Sequence, residues 1–563
     1  MIELPKSRPS RIQALTEKGH WGSATLHSLL SHQAKNQPGA LAVADQPNKE
    51  SLVGAPSVRL SFKELDIASD ALAAQLLEKG AGAESRLLVQ LPNIVELVVC
   101  FYASSKIGAV ISPLPVQYGT HEISSLGATL SATHFIGCQF FRGQNLSEIA
   151  GKALPNIPIW SLGSELECLA TAIGLASKER LRFHQEQLTD PANRILTVCW
   201  TSGTTGTPKG VPRSANMWIA TARATAEAGG YQPCERLLNP FPLVNMAAIG
   251  GFLFAAAELG CALILHHPLD PALFLQQMQE EQIHFTIAPP PLLNQLASKP
   301  EMWRAFDFST LRAVGSGSAP LSPDMIKTFE RDYGKPIINF YGSNEGLALF
   351  ATPETAPTSE LRATHFPRFG VTGIEWPGRA AQMVRSKIID PDTEDELEEP
   401  GAIGELCFAG ATVFDGYLGT ANETVFTKDG YFRSGDLVEI SGQAPHYYRI
   451  VGRCKDIINR GGMKISPTEI DALMEAHPEI AEAAVCAYPC AELGERVCAY
   501  VVTANEEFAP SLKALCDYLL ERGLAKFKLP ERIHYLSALP RNPMGKVVRT
   551  TLHTFPTTLE ENS

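Results

Sequence analysis

Ten residues near the middle of the chain carry the clearest chemistry: Thr201, Ser202, Gly203, Thr204, Thr205, Gly206, Thr207, Pro208, Lys209 and Gly210. Glycines let backbone N–H groups wrap phosphate oxygens, hydroxyls add donors and a lysine adds positive charge. The segment is not a Walker A loop, because Lys209 is followed by Gly210 rather than Ser or Thr. A flexible turn between two elements is the other reading of such a stretch. A second isolated cation stands near the far end, in Pro540-Arg-Asn-Pro-Met-Gly-Lys546. Prolines brace that loop and a glycine hinges it, so it presents one ammonium rather than a solvated cluster.

These groups need a frame. Short apolar runs at 86–91, 195–200, 261–267, 285–288, 311–315 and 337–342 alternate with segments of helical period at 270–281 and 322–333. Strands alternating with helices predict an α/β fold with a largely parallel sheet. The apolar stretch 246–265 reads as a buried helix (246–257) followed by a buried strand (261–265), because Glu258 and three glycines interrupt it. The acidic run 390–401 reads as a solvated turn between strands. Beyond about residue 455 the pattern shortens to helix 467–476, strands 483–488 and 497–502, helix 511–521 and strand 532–536. The expected organisation is therefore a large domain of layered mixed and parallel sheets with helices (1–454) and a small mobile α+β domain (455–563), hinged near Lys455.

Across 563 residues, 48 basic side chains oppose 60 acidic ones, a net charge of −12. That balance argues against a nucleic-acid binder or a polybasic membrane binder, while leaving room for a local basic pocket. The twelve cysteines form no C-x-x-C pair and are read as buried reduced thiols. The opening MIELPKSRPS lacks the apolar core of a secretion signal, so the expectation is a cytoplasmic protein with no membrane span.

The 201–210 loop is followed, in order, by Gly317-Ser318-Ala319-Pro320-Leu321, Tyr341-Gly342-Ser343-Asn344-Glu345-Gly346, Tyr431-Phe-Arg-Ser-Gly-Asp436, Gly452-Arg453-Cys-Lys455-Asp456 and Asn542-Pro-Met-Gly-Lys546. Together these motifs resemble the acyl-adenylate-forming superfamily of acyl-CoA synthetases, aryl-acid ligases and luciferases, over about residues 25–550. The resemblance implies that a carboxylic acid attacks the α-phosphorus of ATP, giving an acyl-adenylate and pyrophosphate. It implies Mg²⁺ on Glu345, a hard oxygen ligand, and phosphates beside Thr201, Ser202, Gly203, Thr204, Thr205 and Lys209. Adenine falls to Ser318, Ala319, Pro320 and Tyr341, the ribose hydroxyls to Asp436 and Arg453, and Gly342, Ser343 and Asn344 belong with them to the ATP site. Lys546 becomes the catalytic cation of adenylation. Lys455 becomes the hinge about which the small domain turns to present Arg460, Gly461 and Gly462 to the thiol. Solvated loop carboxylates, a surface ion pair and a buried structural tyrosine are the plainer readings of these side chains taken singly.

Two positions depart from the commonest pattern. Asn344 stands where threonine is frequent, and its amide can still donate to phosphate. Asn245 stands where many acyl-CoA synthetases have histidine, and aryl-acid enzymes also place an asparagine near here to meet a ring hydroxyl. Candidates for the acid pocket are Asn245, Met246, Ala247, Gly250, Gly315 and Leu347. The expected substrate is an apolar aryl, alicyclic or medium-chain acid. No carrier domain is fused, which favours free coenzyme A as acceptor. The alternatives are an aryl-acid–AMP ligase that loads a phosphopantetheinyl carrier protein and, more remotely, a luciferase-like oxygenase.

Overall fold

Strands made wholly of apolar residues must be covered on both faces, and this requirement organises the chain. The computed structural model describes every residue except 1, 202–207, 318–319, 420–421, 423, 462, 491, 506–508, 542–546, 555–559 and 562–563, and omits the side chains of 347–348, 464, 553–554 and 560–561. It divides into two compact units. The larger takes in 1–203, 208–386 and 408–432; the smaller takes in 204–207, 387–407 and 433–563.

The larger unit holds two sheets of alternating α/β construction. One has eight strands in the order Gly346–Ala351, Ile337–Ser343, Ala313–Gly317, Phe285–Ile287, Arg236–Asn239, Ala262–Leu265, Leu41–Ala44 and Arg59–Ser61. The interior pairs are parallel and both edge pairs antiparallel. The other has six strands, Ile159–Ser161, His134–Gly137, Arg86–Gln90, Val110–Pro113, Ile195–Thr201 and Lys209–Ser214, with only the last pair antiparallel. Helices Pro271–Glu280 and Pro323–Tyr333 start on Asp270 and Ser322, whose side chains accept from backbone N–H groups of the first turn. They pack a core in which Trp303 stacks on Tyr333 at 4.7 Å.

The apolar stretch at 246–265 is a helix and a strand, with one feature beyond expectation. Met246–Ala248 and Ala255–Leu259 are α-helical, but Ile249–Phe254 between them is a π-helical turn. The acidic run 390–401 lies between strands, with the short strand Glu396–Leu397 inside it. Nine cysteines are buried, as expected; Cys234 is exposed and Cys454 and Cys490 are half-exposed, each lying in a turn or at a strand end where no apolar layer covers it. Among the described residues, no helix is long and apolar enough to cross a membrane.

In the smaller unit, Phe432–Ile440 and Tyr447–Arg453 pair antiparallel, setting Asp436 opposite Arg453. A second sheet contains Met463–Ile465, Ile458–Arg460, Gly494–Thr503, Arg532–Tyr535 and Glu560–Glu561, with Ile480–Cys490 on Gly494–Thr503. Helices Pro467–Glu475 and Leu512–Glu521 cover it through Ile470, Met474, Leu515 and Leu519. Runs of strands with helices on one face make this part α+β.

The helix Val95–Ile107 is buried along its entire length, so its charges must be paired in place. Lys49 Nζ lies 2.7 Å from Asp45 and 2.8 Å from Glu96, with Lys49 and Asp45 sealed from solvent. Burial pushes the Asp45 carboxyl up to about 6, against the pull of Lys49. A carboxyl raised above its unfolded value favours the fold in its neutral form, and that contribution is lost as the pH rises through about 6. Lys49→Met removes the only cation in this triad and drives the Asp45 carboxyl higher. The expected loss is about 3 kcal/mol in urea unfolding at pH 8, shrinking at pH 5. An equal loss at both pH values would show that Lys49 acts by packing alone.

Candidate active site

The strands on either side of the Gly/Thr-rich segment pair antiparallel with one another. Ile195–Thr201 leads in and Lys209–Ser214 leads out, with Thr201 directly opposite Lys209. Ser202, Gly203, Thr204 and Thr205 lie outside the described residues. Gly210 is a close-packing position: a Cβ there would sit 3.1 Å from Val198 and 3.2 Å from both Leu418 and Trp200. The Lys209 ammonium lies 4.6 Å above the ring of Tyr417. The Tyr417 hydroxyl in turn donates to Glu345 Oε1 at 2.6 Å. A cation, a phenol and a carboxylate therefore form one continuous line from the hairpin to Glu345.

Glu345 sits in a two-residue turn, because Ser343 pairs with Gly346 and leaves Asn344 and Glu345 at the tip. It is only 6% exposed, and its carbonyl accepts from Phe414 N–H at 2.9 Å. The turn is pinned from below by Arg213, which has no exposed surface. Arg213 Nη1 donates to the Asn344 carbonyl at 3.1 Å, and Nη2 reaches the carbonyls of Thr412 (2.6 Å) and Met217 (3.1 Å) and the Thr221 hydroxyl (2.8 Å). Its guanidinium stacks 4.1 Å over Trp218. Burial pulls its pKa down to about 9, a shift that the nearby Glu345 charge opposes. The segment carrying Thr412 and Tyr417 is held from outside by Arg11, which pairs with Asp415 and donates to the carbonyls of Gly410 (3.0 Å) and Val413 (2.5 Å). Arg213, Tyr417 and Arg11 were not among the sequence candidates. The only trace of Arg213 was a cation three residues beyond Gly210, and of Tyr417 an aromatic residue between two glycines.

The acid-side candidates fall into two groups. Asn245 caps the helix that follows it, accepting from Ala248 N–H at 3.0 Å, with Met246 buried and Ala247 half-buried behind it. Gly250 and Gly315 are close-packing positions. A Cβ on Gly250 would meet Thr221 at 2.6 Å, and one on Gly315 would meet Phe340 at 3.0 Å and Phe285 at 3.1 Å. The side chain of Leu347 is outside the described set, as are Ser318 and Ala319, while Pro320 is exposed. Tyr341 is half-buried, its ring 5.8 Å from that of Phe366. Gly342 is exposed and Ser343 half-buried. Asn344 directs its amide to protein groups: Oδ1 accepts from Met246 N–H at 2.8 Å and Nδ2 donates to the Trp200 carbonyl at 3.2 Å. Thr201 ends its strand and Tyr341 lies two residues from the end of its own, toward the carboxyl side where open α/β sheets bind ligands, whereas Gly315 is mid-strand in Ala313–Gly317.

In the smaller unit, the strand register brings Asp436 and Arg453 together, with Arg453 Nε 2.8 Å from Asp436 Oδ1. Lys455 is exposed in the turn that follows. Arg460 Nε donates to Glu531 Oε1 at 2.6 Å, and Arg496 approaches the other oxygen of the same carboxylate at 3.0 Å. Gly461 has φ +57° and donates to the Leu493 carbonyl at 2.8 Å, a backbone conformation suited to glycine. Gly462 and Lys546 lie outside the described residues.

Residues 30–418 match the AMP-binding enzyme family, and 469–546 match the AMP-binding enzyme C-terminal domain. The chain is 31% identical to triostin synthetase I of Streptomyces triostinicus, covering 95% of both proteins. It is 28% identical to the medium-chain fatty-acid–CoA ligase of Escherichia coli strain K12, covering 96% of this chain and 92% of the relative. The ATP-bound structure of MatB from Rhodopseudomonas palustris superimposes with a TM-score of 0.76 at 24% identity, over 94% of this chain and 99% of that one. The matched residues fall in both units: the chain belongs to the AMP-binding enzyme family, within the acyl-adenylate-forming superfamily, and is an AMP-forming ligase.

Proposed function

We propose that the enzyme condenses an apolar carboxylic acid with ATP and then transfers the acyl group to the thiol of coenzyme A. The observation that carries this reading is the line Lys209–Tyr417–Glu345, which ties a nearly buried carboxylate to the loop whose composition suits phosphate. Lys209 and the hydroxyl-rich loop neutralise and orient the triphosphate. The acid's carboxylate oxygen forms a bond to the α-phosphorus while the bond from that phosphorus to the bridging oxygen breaks, and pyrophosphate leaves. The thiol then attacks the acyl carbon, the carbon–oxygen bond to AMP breaks, and the thiol proton is lost to solvent.

Glu345 is the residue that would hold Mg²⁺. Its donor set fits: a carboxylate is a hard oxygen ligand, and with Oε1 taken by Tyr417, Oε2 is left for the ion. Bound there, the ion would supply charge neutralisation for the phosphates. Asp436 and Arg453 suit the ribose, since a carboxylate accepts from two vicinal hydroxyls. Lys546 supplies the cation that bridges acid and α-phosphate, acting from a small domain that closes about Lys455 for adenylation and turns for thiolysis. The acid is apolar because the helical stretch 246–257 beside Asn245 carries no charged side chain. Coenzyme A as acceptor is supported by the likeness to a fatty-acid–CoA ligase.

ATP–pyrophosphate exchange across octanoate, benzoate, salicylate, phenylacetate and cyclohexanecarboxylate is expected to respond to at least one acid. Mass analysis should then find that acid as its coenzyme A thioester. No exchange with any acid would overturn the reading, and transfer only to a phosphopantetheinyl carrier protein would replace coenzyme A as acceptor. Lys546→Ala is expected to slow exchange by about 10²–10³ and leave thiolysis of a supplied acyl-adenylate nearly intact. Equal loss of both half-reactions would contradict the separate roles of the two conformations. Asp436→Ala should raise the KM for ATP by about tenfold with a smaller effect on the KM for the acid.

A further inference from the structure

The residue that departs from the superfamily's usual threonine is the one that joins three separate segments. We propose that Asn344 is a positioning residue that clasps the acid-side helix to the strand entering the phosphate loop, acting through its amide on protein groups rather than on the nucleotide. The functions given to those two segments rest on the reading above; the clasp itself rests on geometry.

A primary amide offers one acceptor oxygen and two donor hydrogens at fixed spacing. Asn344 spends the oxygen on Met246 N–H at 2.8 Å and one donor on the Trp200 carbonyl at 3.2 Å. Both partners are otherwise well fixed. Trp200 is paired with Gly210 in the hairpin, and its indole N–H donates to Ser112 at 2.8 Å. Met246 begins a helix, so its N–H has no partner within that helix. Asn245 satisfies Ala248 from within the segment, and Asn344 satisfies Met246 from outside it. The aim of the Asn344 side chain is set in turn by Arg213, which holds the Asn344 carbonyl at 3.1 Å.

The need for an outside anchor lies in the helix itself. Its next turn, Ile249–Phe254, is π-helical. Such turns are rare and local, and they displace the faces of the residues that follow. Gly250 and Gly251 press this turn onto Thr221 and Thr225, so sideways packing is fixed while the N-terminal end depends on its caps. Threonine at 344 would have to accept from Met246 and donate to Trp200 through one oxygen on a shorter stem, where the amide meets the two partners with two separate atoms. Alanine would serve neither.

The test compares hydrogen–deuterium exchange of the full-length chain with its Asn344→Ala, Asn344→Thr and Asn344→Asp variants, alongside AMP binding by calorimetry. In Asn344→Ala, amides over 245–254 are expected to exchange about fivefold to tenfold faster, with strand Phe285–Ile287 unchanged. Asn344→Asp keeps an acceptor for Met246 and should restore most of that protection, whereas Asn344→Thr should restore less. AMP affinity should change by less than about threefold in all three variants. Unchanged protection over 245–254 in Asn344→Ala would overturn the proposal, as would a tenfold loss of AMP affinity without a change in protection. If Asn344→Ala fails to fold, Asn344→Asp against Asn344→Thr makes the same comparison, and equal protection in those two overturns it. A native chain that binds no AMP would defeat the proposed function, and the exchange data would still decide the clasp.

Discussion

A guanidinium sealed from water has to find acceptors for its N–H groups, and the two Nη groups of Arg213 find them in residues far apart along the chain, while its Nε has none among the described residues. The Asn344 carbonyl lies 131 residues away and the Thr412 carbonyl 199, with Met217 and Thr221 supplying the local contacts. No carboxylate forms an ion pair with it among the described residues, so carbonyl dipoles, the Thr221 hydroxyl and the face of Trp218 carry the compensation. Leaving any of these groups unpaired in a buried site costs about 1–3 kcal/mol. The geometry is correspondingly strict. The hairpin, the Glu345 turn and the segment leading to Tyr417 are gathered around one cation, and the rest of the site in the larger unit follows from that gathering.

Placing the cation beneath Glu345 reconciles an acidic chain with polyanion chemistry. The net charge of −12 would repel a triphosphate at long range, so neutralisation must be local. Lys209 and Arg213 flank Glu345 on two sides, one stacked on Tyr417 and one beneath the turn. In the smaller unit, Asp436 and Arg453 make a pair of the opposite kind. Arg453 is 46% exposed and Asp436 20%, and an ion pair that open contributes little to stability. Cross-strand register holds the two groups together, and the fold depends little on the contact between them.

The sequence made the frame legible because strands and helices announce themselves by period. Helix 322–333 appears as Pro323–Tyr333, and strand 532–536 as Arg532–Tyr535. Asp436 and Arg453 were legible as separate motifs, but their direct pairing needed the strand register. Arg213 was not legible, since its role depends on contacts across more than a hundred residues. Nor was the π-helical turn, because hydrogen-bond register leaves no mark on composition beyond the pair Gly250–Gly251. Asn344 was legible as a departure from pattern, and only the structure assigned its amide to Met246 and Trp200.

The central claim is that the acid's own oxygen becomes bonded to the α-phosphorus. An isotope measurement reaches that bond directly. With a substrate acid carrying ¹⁸O in both carboxylate positions, one turnover in the presence of coenzyme A should deliver one labelled oxygen to AMP and none to pyrophosphate. Label appearing instead in orthophosphate, with ADP as the nucleotide product, would place the attack at the terminal phosphorus and contradict the account.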